Sequence, residues 1–368
     1  MVLRKSSLLS FPRVALGIVL LAGVLGFSNT SVVLAGPPEP AVGYTGPQAY
    51  LVKDILPGIE ASNPFELVDV NGTLFFTASD ILQDIIYLRD AQESLSESTA
   101  QFGRELWRSD GSAEGTQMVK DIYPGAYNSN TQQLTAVQST LFFVANDGIH
   151  GEELWKSNGS AAGTQMVKDI YPGSGGSRIL NLTAVGSKLF FIVHDTVLGD
   201  ELWQSDGSAE GTGKVNGIAP GNDSPHPSAL AAVGNLLYFV VDDGINGEEL
   251  WKSDGSASGT TLVKDIMPGF ASAYPDELTA VGDVLFFIAD DGVNGTELWK
   301  TDGTEEGTLM VLDIYPAASG SYPTRLTAMN NTLFFKADDG VHGSELWLSD
   351  GTESGTRMVK DINPDIAS

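Results

Sequence analysis

The sequence contains no cysteine, which excludes disulfides, thiolate zinc sites, iron–sulfur clusters, a cysteine nucleophile and a lipid-modified N-terminal cysteine. It is also poor in cations: 20 Lys and Arg face 47 Asp and Glu, giving a formal charge of −27 and a pI near 4.2. Counterion release, which drives nucleic-acid binding, would have the wrong sign on such a surface, so no nucleic-acid partner is expected. Histidine is scarce, at four residues. After residue 35 no apolar run approaches membrane-spanning length. What is present is 42% hydrophobic residues, 18% charged ones, 42 Gly and 17 Pro in 368 residues. That mixture is too apolar for a disordered chain and too rich in turn formers for a helical bundle, which favours an all-β fold.

The first 35 residues read as a secretory signal peptide. Arg4, Lys5 and Arg13 precede an apolar run from Val14 to Phe27, and Val33-Leu34-Ala35 suits cleavage after Ala35. An uncleaved anchor is the competing reading, which the shortness of the run disfavours. Residues 36–48, with Pro37, Pro38, Pro40 and Pro47, read as an extended linker. The expected address is outside the cytoplasm: secreted, periplasmic or on the cell surface.

The rest is one unit written six times. Trp107, Trp155, Trp203, Trp251, Trp299 and Trp347 are all the tryptophans, and each successive pair is 48 residues apart. Around each runs Glu-Leu-Trp, then Ser or Thr, Asp or Asn, Gly, Ser or Thr, two variable residues and Gly-Thr, followed in most copies by Val-Lys-Asp-Ile and Pro-Gly. In the fifth copy the turn residues isolate four strands, near 278–281, 284–289, 297–300 and 310–314, joined by connections short enough for hairpins. Second strands such as Leu285-Phe286-Phe287-Ile288 are apolar at consecutive positions. Because side chains alternate faces along a strand, both faces of each small sheet must be covered. Sheets that need a neighbour on either side predict a β-propeller of six blades, each of four antiparallel strands, over residues 49–368. An open β-solenoid is the alternative, disfavoured by the hairpins. Val52-Lys53-Asp54-Ile55 is a seventh copy of the fourth strand, and it is either the strand that closes the ring or a cap.

The chain resembles the ELWxxDGT repeat proteins, on Glu297-Leu298-Trp299-Lys300-Thr301-Asp302-Gly303-Thr304 and Glu345-Leu346-Trp347-Leu348-Ser349-Asp350-Gly351-Thr352. The likeness covers about residues 49–368. It implies a propeller-like fold and export from a bacterial cell, and it carries over no catalytic residue. Asn158 departs from the motif Asp, and Val215-Asn216-Gly217-Ile218 lacks the Lys-Asp pair. In the first copy Trp107 lies 31 positions after Phe76, where in the second Trp155 lies 12 positions after Phe143. The insertion falls at about 81–104, as a surface loop or as a lid or docking element.

Candidate site residues cluster in the loops. Asp242, Asp243, Asn246 and Glu248, then Asp290, Asp291 and Asn294, then Asp338 and Asp339, offer the close-set oxygens that calcium prefers. The same residues also suit tight turns that need no ion. Loops after the second and fourth strands of a meander emerge on one rim, so Tyr123, Tyr171, Tyr274 and Tyr315, with Tyr322, are expected beside these carboxylates, stacking on sugars or packing loop against blade. No Ser–His–Asp spacing recurs, and no catalysis is expected. Lys120, Lys168, Lys264 and Lys360, on the outermost strand, read as guards against edge pairing. The expected role is binding or adhesion toward an extracellular protein or glycan, with no cofactor beyond calcium. A polysaccharide lyase or hydrolase, and a calcium-dependent envelope protein, are the alternatives.

Overall fold

Turn residues fall where the chain reverses. In the fifth repeat the strands are β17 (Asp276–Val281), β18 (Val284–Asp290), β19 (Thr296–Thr301) and β20 (Leu309–Leu312), paired in sequence order and antiparallel throughout. The computed structural model describes residues 49–56, 61–80, 102–195, 199–218, 225–316, 318–362 and 364, and no helix occurs among them. Residues 1–35 and 36–48, expected to be a signal peptide and a linker, and most of the insertion at 81–104 therefore lie outside the described residues. The described residues from 51 onward form one compact unit.

Six such sheets make an all-β propeller of six four-stranded blades. Blade 1 comprises β1 (Phe65–Val70), β2 (Thr73–Ser79), β3 (Arg104–Ser109) and β4 (Gln117–Lys120). Blades 2, 3, 4 and 6 hold β5–β8 (132–168), β9–β12 (179–214), β13–β16 (228–262) and β21–β24 (324–360). The first strands β1, β5, β9, β13, β17 and β21 pack one beside the next, so they form the hub. Between blades the apolar faces meet as expected. Phe286, Leu298, Val311 and Ile314 of blade 5 pack on Leu326, Leu333, Phe335, Ala337 and Trp347 of blade 6. Phe143, Phe191, Phe239 and Phe287 are fully buried.

The motif turn builds itself from its own side chains. Asp302 Oδ1 accepts from the Thr304 amide and hydroxyl at 2.8 and 2.7 Å, the Thr304 hydroxyl accepts from Gly307 N at 2.9 Å, and the Thr301 and Thr308 hydroxyls meet at 2.7 Å. Gly303 has φ +91°, the left-handed region that side chains avoid. Asn158 keeps the arrangement because its Oδ1 accepts from Ser160 in the same way.

Three of the four fourth-strand lysines, Lys120, Lys168 and Lys264, are inter-blade contacts rather than edge guards, which corrects the sequence reading for them; Lys360, on blade 6, is exposed. Lys120 Nζ donates to Thr164 O of the next blade at 2.8 Å, as Lys168 does to Thr212 O and Lys264 to Thr308 O. Lys120 also lies 5.5 Å over the Trp155 ring. Sequence reasoning took strand four as a free edge of its own sheet, but the side chain crosses to the neighbour. Lys120→Ala is expected to cost about 2 kcal/mol, from a charged hydrogen bond and a cation–π contact, read as a drop in the urea midpoint.

The two ends differ. Lys53 Nζ donates to Thr116 O at 2.6 Å, the bond its fourth-strand counterparts make one blade on. Ile55 packs on Phe76, Ala78 and Trp107. The seventh copy is thus a cap on blade 1, without strand pairing. Among the described residues blade 6 has no such cover: Leu346, Val359 and Ile362 are 42, 46 and 70% exposed, although the phenylalanine and tryptophan Phe335 and Trp347 stay buried. No packing comparable to that between successive blades joins blade 6 to blade 1 among the described residues.

Candidate functional site

The residues repeated most faithfully are absorbed by the scaffold. The motif glutamates Glu105, Glu153, Glu249 and Glu297 are fully buried and hold down the long loop that follows the fourth strand. Glu105 accepts from Ile122 N and Ser129 N, and Glu297 from Ile314, Tyr315 and Ser321. Burial pushes the Glu105 carboxyl up to about 8 and those of Glu153 and Glu249 up to about 7, against the pull of these hydrogen bonds and with a further push from Asp121, Asp169 and Asp265. Glu249 Oε2 is buried with no hydrogen-bond partner. Glu201 instead meets Lys214 at 2.6 Å, in the blade that lacks the Lys-Asp pair.

The acidic loops are Asx turns. Asp243 Oδ1 accepts from Ile245 N and Asn246 N, its Oδ2 accepts from Asn246 Nδ2, and Asp242 Oδ1 accepts from Gly244 N. Asp290, Asp291 and Asn294 repeat the pattern. Asp338 and Asp339 do so with His342, whose Nδ1 lies 2.7 Å from Asp339 Oδ2. At Asp291 and Asp339 burial raises the carboxyl, but hydrogen bonds from the turn outweigh it and hold the group below the usual range. No three His, Asp or Glu side chains converge as cation ligands among the described residues.

The tyrosines divide. Tyr123 stacks on Tyr127 at 4.9 Å and lies under the next acidic turn, where a Cβ at Gly148 would come within 2.5 Å of its ring. Tyr315 sits likewise under Gly340, and Tyr171 packs against the core between blades. These three serve loop packing. Tyr274 belongs to a different repeat position, that of Tyr322, and the two are 66 and 63% exposed.

That position belongs to a feature invisible in the sequence. Every pairing of first with second strand carries a bulge, and each bulge holds a non-glycine residue at positive φ: Glu66, Gln133, Asn181, Ala229, Glu277 and Arg325. Three of them reach the next blade, since Glu66 accepts from Leu134 N, Gln133 from Leu182 N and Glu277 from Leu326 N. Just upstream, Asn63, Asn130, His226, Tyr274 and Tyr322 are also left-handed, at φ 45 to 49°. Arg178 stands at the same repeat position. Bulges re-aim side chains, and left-handed backbone at a bulky residue costs about 1 kcal/mol or more, so the hub end of each blade is held under strain.

Clefts open beside these residues. Between blades 1 and 2 a cleft of about 510 Å³ is lined by Phe65, Glu66, Thr77, Arg104, Asn130 and Glu152. Arg104 is fixed on its blade 1 wall, donating to Asn63 O at 2.8 Å and the Thr77 hydroxyl at 3.3 Å. Between blades 4 and 5 the matching cleft of about 360 Å³ is lined by Ala229, Glu248, Tyr274 and Asp276, and the short Ala229 leaves space where Glu66 or Gln133 reaches across. Between blades 3 and 4, Asp200 joins two imidazoles: His194 Nδ1 at 2.6 Å and His226 Nδ1 at 3.6 Å. Sequence reasoning saw no partner for either histidine, because the trio joins the end of β10, the start of β11 and the loop before β13, and occurs once among the described residues.

No family model matches the chain, and no curated protein matches it in sequence. Solved structures of similar fold include the computationally designed Ika8 protein (15% identity, 85% of this chain and 91% of that one, TM-score 0.41). Another is the β-propeller domain of the Trilobed protease from Pyrococcus furiosus (8% identity, 82% and 85%, TM-score 0.43). A third is oligopeptidase B from Leishmania major (12% identity, TM-score 0.47), of which this chain covers 42%.

Proposed function

We propose that the protein is an exported binding module that recognises an extracellular glycan at the hub clefts between its blades. One observation carries this reading: the positions that repeat are spent on turns and blade contacts, whereas the positions that line the clefts change from blade to blade. Exposed aromatic faces at Phe65 and Tyr274 stand beside Asn130, Glu152, Glu248 and Asp276. A flat apolar face next to planar hydrogen-bonding groups suits a sugar ring. The likeness to ELWxxDGT repeat proteins and the N-terminal segment support export.

A glycan array probed with the exported chain tests this reading. Phe65→Ala and Tyr274→Gly should each weaken the best signal about tenfold, while Tyr274→Gly leaves the melting temperature unchanged or higher because it relieves φ +49°. An empty array, or binding that survives both changes, overturns it. The single His194, Asp200 and His226 trio favours a second reading, a polysaccharide-cleaving enzyme at the cleft of blades 3 and 4. That reading requires depolymerisation by the wild type and its loss in Asp200→Asn.

A further inference from the structure

The open face of blade 6 is written in the code of the internal interfaces. On blade 5 the covered residues Phe286, Leu298, Val311 and Ile314 are at most 6% exposed. Their counterparts 48 positions on are Phe334, Leu346, Val359 and Ile362, and the last three are wet. Leu348 adds to this apolar face at the position where Lys156 and Lys252 each donate to the following blade's Gly207 O and Gly303 O. Whatever covers such a face elsewhere in the molecule presents two leucines, a phenylalanine, a tryptophan and either an alanine or a valine: Leu326, Leu333, Phe335, Ala337 and Trp347 on blade 6, with Val193 and Val241 at the alanine position on blades 3 and 4. Among the described residues one further face carries that set with no blade before it, namely Leu67, Leu74, Phe76, Ala78 and Trp107 of blade 1. Its hub side is exposed, at 65% for Phe65 and 62% for Leu67. Its outer side is occupied by residues 52–55, through Lys53 and Ile55. The tetrapeptide there, Val-Lys-Asp-Ile, is identical to residues 359–362.

We propose that blade 6 of one copy docks on blade 1 of a second copy, head to tail, and that residues 359–362 of the first take the seat held by residues 52–55 of the second. Identical sequences compete for that seat, so the exchange of Val359 and Ile362 for Val52 and Ile55 is itself close to neutral, and the gain comes from burying Leu346 against Leu67 and its neighbours. The contact joins two different patches, so it propagates rather than closing on itself as a symmetric pair.

Sedimentation of the full chain tests this. The weight-average mass should rise at least about twofold with concentration, and more so at high ionic strength, which screens repulsion between chains of charge −27. Leu346→Glu blocks the tail and Leu67→Glu blocks the head, so each alone should remain monomeric, and an equimolar mixture should stop at the dimer. Both sites are exposed, so melting temperatures should match the wild type; Ile362→Glu serves as a second tail block should Leu346→Glu unfold. A wild type that stays monomeric at every concentration and salt overturns the proposal, leaving this face to its own chain or to another molecule. A Leu67→Glu variant that still dimerises also overturns it, because the contact would then be tail to tail.

Discussion

Leu298→Ala is expected to destabilise the protein by about 2 to 5 kcal/mol, and Leu346→Ala by less than about 1 kcal/mol. The two leucines occupy the same repeat position in the same Glu-Leu-Trp sequence, in strands of the same pairing. Only their surroundings differ. Leu298 is fully buried between blades 5 and 6, so truncation removes its transfer energy and leaves a cavity in a packed interface. Leu346 is 42% exposed on the outer face of blade 6, where water fills whatever is removed. Urea or thermal unfolding of the two variants at dilute concentration makes the comparison. Equal losses would mean that blade 6 is covered after all.

The second large effect is a dependence on pH with the sign opposite to ordinary acid denaturation. Glu105 titrates near 8 in the folded protein, and Glu153 and Glu249 near 7, against 4.5 when solvated. A carboxyl raised on folding binds its proton more tightly in the native state, so its contribution is fully present below pH 4.5 and is lost as pH rises through 7 to 8. His150 and His342, raised by their hydrogen bonds to Asp147 and Asp339, add stability that is likewise lost on going alkaline. The opposing groups are the turn aspartates Asp206, Asp254 and Asp302, lowered chiefly by hydrogen bonds from the following Ser or Thr, and their contribution is lost below their ordinary 3.8. The melting temperature should therefore be highest near about pH 5 and fall by on the order of 5 °C towards pH 8. Glu249→Gln should flatten that slope and raise stability at pH 8 by on the order of 2 kcal/mol, because it removes a buried anion whose Oε2 has no partner. A melting temperature that climbs from pH 5 to pH 8 would refute this assignment.

The period of 48, the apolar second strands and the turn residues made the blades legible, since each is a local pattern repeated six times. The acidic loops were equally legible as turns, because Asp-Gly and Asn-Gly state their backbone requirement in the sequence. What stayed hidden depends on contacts between copies. Lys120 looks like an edge residue until the next blade is beside it. The buried state of Glu105 reads as solvent-facing polarity in any one-dimensional pattern. The clefts were hidden for the opposite reason: Arg104 and Asp200 stand at one repeat position, and Tyr274 at another, whose side chains change from blade to blade, and their neighbourhood is created by bulges whose left-handed residues, from Glu66 to Arg325, follow no common side-chain type.

The unequal ends give the array a direction. Blade 1 is lidded by residues 52–55, whereas blade 6 leans on a neighbour along one side only. Local opening in stacked repeats begins where the fewest contacts must break. Amide protons should thus exchange first around Arg357–Lys360, with protection growing toward the middle blades. A protease nicking the native protein would find its earliest foothold in the last repeat, and the molecule would unravel from its carboxyl end.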